Sequence, residues 1–203
     1  MIKLILSITK PRSIFQLNND YENELKRCIK FWRKNAGKIK DIEIHISIDY
    51  DFNTNIFRNY NNVYFHKIEY KLNDEFGYAV VHEGGKYFQK LFPTDILIHI
   101  DLDMCCLKPI PTKWLLKTTI GAYRKFSDCK ERIEVSKKYN INIFTNTDLI
   151  ITPPGSTYYN DYCKCFEKNK DNKNFWAYEE FISDLIIRDK NYNIVYGYEA
   201  EFN

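Results

Sequence analysis

The chain has 203 residues, 44% of them hydrophobic and 28% charged, with a formal net charge of +3. That length can bury one sizeable core and argues for a single domain over residues 1–203. So small a charge bias excludes an electrostatic case for nucleic acid, and no stretch is long and apolar enough for a membrane span.

Residues 2–8 read as a buried strand ended by Thr9, Lys10 and Pro11, too short for a signal peptide or membrane helix. In residues 20–36, Leu25, Cys28, Ile29 and Trp32 recur at helical spacing. Asn19 or Asp20 can cap that helix, and Gly37 sits past its end. Residues 42–48 alternate strictly and predict a strand with one apolar face. A further strand is expected over 63–70, and a helix over about 78–92 that contains Gly84 and Gly85 and stops at Pro93. Residues 96–100 are apolar on both parities, so both faces of that strand must be covered. His99 is the exception and shares parity with Asp101 and Asp103.

The later chain is more mixed. It predicts a short charged helix over 129–139, a strand over 144–152 and helices over 156–168 and 177–189. Val195 and Tyr196 suit a last short strand. The class is therefore α/β: a mostly parallel central sheet flanked by helices. Residues 1–103 would form a nucleotide-binding half and 104–203 an acceptor-side half. No repeat or linker divides them.

Six cysteines, at 28, 105, 106, 129, 163 and 165, show no zinc-type paired spacing. Cys163 and Cys165 form a lone C-x-C without partner histidines, and Cys105 and Cys106 suit small apolar packing. Reduced thiols and a cytoplasmic location are the expectation. The aromatic fraction of 16% chiefly fills the core.

The strand over 96–100 ends in Asp101-Leu-Asp103. A bare D-x-D is expected roughly once by chance in a chain this long, and Asp49-Tyr-Asp51 is a second instance. Context favours Asp101 and Asp103, because their strand is the more deeply apolar and Pro109 and Pro111 stiffen its exit. Two carboxylates at a strand end can hold one hard divalent cation, and that cation can hold a diphosphate. A diphosphate leaving group gathers negative charge as a glycosidic bond breaks, and Mn²⁺ or Mg²⁺ neutralises it. Lys86 is the candidate cation for the phosphates, with Lys90 second.

The segment from Lys86 through Pro93 to Asp101-Leu-Asp103 and Lys108-Pro-Ile110 resembles the metal-dependent glycosyltransferases of the GT-A fold, especially the family-8-like group. Phe144-Thr-Asn146-Thr-Asp148, Tyr178-Glu179-Glu180 and the late Phe202-Asn203 add weaker likenesses. The resemblance implies a hexosyltransferase-type enzyme that takes a nucleotide-sugar donor, a UDP-sugar, and a carbohydrate or protein hydroxyl acceptor. It places Ser7 and Thr9 in the nucleotide pocket, Asp49 at base or ribose, Asp101 at ribose and metal, and Asp103 at metal. Asn146, Asp148, Glu179 and Glu180 would lie near donor sugar or acceptor. Retention of anomeric configuration is implied; an inverting route would need a base, for which Asp148, Glu179 or Glu180 could serve.

Two departures stand out. Asp148 occupies a place where the group usually has Gly, and no histidine among His45, His66, His82 and His99 stands where the group's downstream metal-binding histidine falls. The rival readings are a nucleotidyltransferase, against which the glycine-free Thr9–Ser13 loop counts, and a non-catalytic carbohydrate-binding or scaffold protein with a decayed site.

Overall fold

The computed structural model describes residues 1–10, 20–72, 78–115, 117–118, 120–125, 133–134, 137–138, 140, 144–168 and 178–198. Strand β1 (Ile2–Ile8) leads through α1 (Tyr21–Asn35) to β2 (Glu43–Ile48) and β3 (Val63–Lys67). Helix α2 (Tyr78–Leu91) returns the chain to β4 (Ile96–Ile100). Strands β5 (Ile120–Lys125) and β6 (Phe144–Thr152) follow, then α3 (Tyr158–Lys168), α4 (Tyr178–Lys190) and β7 (Ile194–Tyr198). The seven strands make one sheet in the order β3-β2-β1-β4-β6-β5-β7. Only β6 runs against the others.

The strand order reverses beside β1. The chain leaves on one side through α1 to β2 and comes back on the other through α2 to β4. Right-handed crossovers made in opposite directions put their helices on opposite faces. Burial agrees. Leu4, Leu6 and Ile8 pack with Leu25, Cys28, Ile29 and Trp32 of α1, while Ile5 packs with Ala79 and Phe88 of α2 and with α3 and α4. The C-terminal ends of β1 and β4 therefore flank the switch point, beside which sheets of this kind usually hold ligands in a crevice.

Local signals fix most boundaries. The Asp20 side chain accepts from the Asn23 N–H at 3.1 Å, and Gly37 follows α1 with φ +64°. Strand β3 stops at Lys67, shorter than expected, because its partner β2 ends at Ile48; the last link is Ile68 N–H to the Ile48 carbonyl at 2.9 Å. Strand β5 has no sequence-level counterpart. Its Ile-Gly-Ala opening is weak in β-formers, but a Cβ on Gly121 would stand 3.2 Å from Ile151 Cβ and 3.3 Å from the Trp114 carbonyl oxygen. The missing side chain lets β5 lie close to β6. Most of the helix expected over 129–139 lies outside the described residues.

The α2 side of β1, β2 and β3 carries a polar chain. Tyr87 O–H reaches His66 Nδ1 at 3.4 Å, His66 Nε2 meets His45 Nδ1 at 3.0 Å, and His45 Nε2 meets Glu43 Oε2 at 3.1 Å. Lys3 also donates to Glu43. Glu43 only accepts, so His45 carries its proton on Nε2 and His66 carries its own on Nε2. Both imidazoles are neutral in this arrangement. Burial lowers both pKa values from 6.5, against a Glu43 hydrogen bond that raises that of His45. As pH falls below about 6.5 the unfolded chain takes up protons that the native pair resists. The stability the neutral pair contributes is whole above that pH and is lost on acidification, by at most about 1.4 kcal/mol per pH unit for each proton. Urea melts at pH 7.5 and 5.5 test this; a His45→Gln/His66→Gln double variant should lose less stability between the two than the parent chain.

Candidate active site

The candidate site gathers around the C-terminal ends of β1, β2 and β4 and the middle of β6. On the β1 side, Ser7 Oγ donates to the Val81 carbonyl of α2 at 3.2 Å. Ser47 Oγ, one strand over, donates to Ser7 Oγ at 3.0 Å, and Tyr70 O–H donates to Ser47 Oγ at 2.8 Å. This hydroxyl row seats α2 on the sheet. Gly84 makes it possible, since a Cβ there would stand 2.1 Å from Ser7 Oγ and 2.6 Å from Ser47 Oγ. Ser7 thus lies near the C-terminal end of β1, with its hydroxyl engaged by α2.

Asp49 follows β2 and closes the exit of β1. Its carboxylate accepts from Thr9 Oγ1 at 3.0 Å and from the Lys10 N–H at 2.9 Å. Thr9 and Asp49 thus meet just beyond the ends of β1 and β2. Asp51, of the other D-x-D, goes elsewhere: it is exposed and pairs with Lys67 Nζ at 2.9 Å.

Asp101 and Asp103 emerge from the end of β4. Asp101 N–H donates to the Asp148 carbonyl at 3.0 Å, which extends the β4–β6 ladder by one residue. Residues directly opposite in an antiparallel pair share a face, so Asp101 and Asp148 lie side by side on the α2 and α3 side. Both are partly exposed. Beneath them is a closed polar contact, Tyr159 O–H with His99 Nδ1 at 3.1 Å. His99 is 2% exposed, and burial takes its pKa down to about 3. Burial chiefly, with the Asp101 charge adding, raises Tyr159 well above the usual phenol range.

Asp103 lies within the turn that follows β4 and is exposed. Its charge is felt by the α1 face rather than by Tyr159. Burial first and Asp103 second raise the pKa of Glu24. Cys28 is pushed up to about 12 by burial, with Cys105, Cys106 and Asp103 adding. Asp101 and Asp103 thus sit two residues apart at the tip of β4, partly exposed and exposed respectively. Among the described residues no group of three His, Cys, Asp or Glu side chains is set to hold a metal. The donor set fits a hard cation of the Mg²⁺ or Mn²⁺ kind, which is commonly held by one or two carboxylates and completed by phosphate and water.

The remaining candidates divide. Lys86 is exposed on α2 and its charge reaches Cys163 of α3, as do those of Glu83 and Glu167, so it stands beside α3. Asn146 lies in β6, and Glu179 and Glu180 open α4; their side chains lie outside the described residues. Sequence reasoning missed Glu24 and the Ser47–Tyr70 hydroxyls. Glu24 sits on the same helical side as Cys28, and Ser47 shares parity with Glu43 and His45, the one usable signal.

Among the described residues no helix is long and apolar enough to cross a membrane. In sequence, no family model and no curated protein matches the chain. Its three-dimensional form does match solved structures. The glycosyltransferase GlyE of Streptococcus pneumoniae TIGR4 superposes with TM-score 0.61 at 10% identity, over 96% of this chain and 45% of that one. The galactosyltransferase LgtC, solved with donor and acceptor sugar analogues, gives TM-score 0.61 at 12% identity, over 97% of this chain and 73% of that one. An active-site mutant of LgtC gives TM-score 0.61 at 13% identity. The chain thus spans under half of GlyE and about three quarters of LgtC. What it shares with these enzymes is their architecture, a single α/β domain of the GT-A glycosyltransferase fold with a mostly parallel sheet.

Proposed function

We propose that the chain transfers a sugar from a nucleotide-sugar, a UDP-sugar, to a hydroxyl acceptor, with Mn²⁺ or Mg²⁺ as cofactor. One observation carries this reading: two carboxylates at the tip of β4, beside the switch point, in a fold shared with solved glycosyltransferases. Asp101 and Asp103 would hold the cation. A bound cation supplies neutralisation of charge developing on the diphosphate leaving group. Thr9 and Asp49 close the β1 side, where Asp49 would turn from its loop contacts to ribose or base. Asp148, next to Asp101, would meet a sugar hydroxyl. It is also the best-placed base should the acceptor need one, since Glu179 and Glu180 start a different element. Lys86, beside α3, is the weakest member of the set.

A thermal-shift screen of UDP-, GDP- and CMP-sugars with and without Mn²⁺ tests the reading. A ligand that binds only the native state raises Tm by mass action, about 2.7 kcal/mol of added stability at a hundredfold excess over Kd. One nucleotide should give a shift that EDTA abolishes. Shifts that ignore metal remove the cation from the proposal. Glycan binding without any donor response replaces it with the scaffold reading. The anomeric configuration of the product by NMR decides between retention and inversion.

A further inference from the structure

Helix α1 has an outer face unrelated to its packing on the sheet. Seven of the fifteen residues from Lys26 to Lys40 are Lys or Arg and none is Asp or Glu, while the whole chain carries only +3. The rest of the chain is therefore net negative, and the positive charge is gathered on one helix and its exit. Acids are confined to the first turn, at Glu22 and Glu24. Arg33 is used internally, where its guanidinium donates to the Lys40 carbonyl, to Ile42 at 2.8 Å and to Asn61 at 2.9 Å. Lys26, Lys30 and Lys34 differ. Among the described residues their side chains make no hydrogen bond or ion pair, and Lys30 and Lys34 are exposed.

These three recur every fourth residue, so they stand in a row along one helix face. Like charges at that spacing weaken a helix, and an anionic partner relieves the repulsion. Beside the row runs a groove of about 670 Å³ lined by Ile29, Phe31 and Tyr60 together with Lys26, Lys30 and Lys34. Phe31 and Tyr60 are partly exposed. Aromatic side chains set among lysines suit the headgroup level of a bilayer, where rings take the apolar boundary and ammonium groups take phosphate.

We propose that this face lays α1 on a membrane surface rich in anionic phospholipid headgroups. A straight row of cations matches a plane of charge. The net-negative remainder of the chain is repelled from that plane and so fixes which side faces it. A nucleic acid would need basic groups spread along a phosphate track, and the basic run is confined to 26–40. The N-terminus of α1 is also the end at which Glu24 senses Asp103. Docking along α1 therefore holds one rim of the crevice close to the bilayer, whichever reaction that crevice performs.

Cosedimentation with phosphatidylcholine vesicles, with and without 30 mol% phosphatidylglycerol, is the test. Each surface lysine is worth roughly fivefold in partitioning, so Lys26→Glu/Lys30→Glu/Lys34→Glu should lose on the order of 100-fold. A control of equal charge change on α3 and α4, Lys164→Glu/Lys168→Glu/Lys190→Glu, should stay within about threefold of the parent, and 0.5 M salt should release the bound protein. Circular dichroism melts of both triples guard against unfolding. Three outcomes overturn the proposal: no phosphatidylglycerol-dependent binding, equal losses in both triples, or an α1-dependent affinity for an oligonucleotide with none for vesicles.

Discussion

Asp103→Ala is expected to lower metal-dependent donor turnover by about a thousandfold while leaving the fold intact. The size follows from the role proposed for Asp103. A cation on the leaving diphosphate is worth several kcal/mol of transition-state stabilisation, and each 1.4 kcal/mol is tenfold in rate. The intact fold follows from position. Asp103 is exposed at a turn, and its charge opposes Glu24 on the neighbouring helix. Its removal takes away a repulsion, so the melting point without metal should hold or rise slightly. The Mn²⁺-dependent part of any donor-induced shift should disappear. Asp51→Ala is the matched control, because it breaks the other D-x-D at a residue whose partner is surface Lys67; an exposed pair of this kind contributes little, and turnover should stay within twofold. If both variants behave alike, or if Asp103→Ala keeps its metal response, the carboxylates at the tip of β4 do not hold the cation.

The layout of this crevice was partly legible in the sequence. Residues 96–100 are apolar on both parities, which requires a covered central strand, and β4 is flanked by β1 and β6 with helices on both faces. Alternation in 42–48 marked one apolar face of β2; the other face, written as Glu43, His45 and Ser47, became the polar chain and the hydroxyl row. Strand direction left no trace in the sequence, so the reversal of β6 was invisible, and with it the pairing of Asp101 with Asp148. Strand β5 escaped because Gly121 and Ala122 answer to a close neighbour rather than to β propensity. The place of Asp103 in the turn after β4 also lay beyond sequence reasoning. A spacing of two implies one face only while the strand continues, and the turn after Ile100 ends it.

Gly85→Ala is the second large effect, and it concerns the floor of the crevice. A Cβ on Gly85 would lie 2.5–2.7 Å from three carbons of the Tyr159 ring. That ring has nowhere to go: it is fully buried, holds His99 Nδ1 at 3.1 Å, and packs edge-on to Tyr158 at 5.1 Å between centroids. The relief must come from α2 moving off α3. Overpacking of this kind costs roughly 1–3 kcal/mol or more, and the better helix propensity of Ala returns up to about 1 kcal/mol. A net loss of about 2 kcal/mol should lower Tm by roughly 6 °C in a chain of this size. An ordinary helical glycine would respond the other way and gain stability. Combining Gly85→Ala with Tyr159→Leu, which opens the space, should cost less than the sum of the two single changes by at least about 1 kcal/mol. Because α2 also carries the Val81 carbonyl that anchors Ser7, and Tyr159 lies under Asp101, the same displacement should weaken ligand binding in the crevice. Additive stabilities, or a stabilised single variant, would show that α2 and α3 are not in contact at this point.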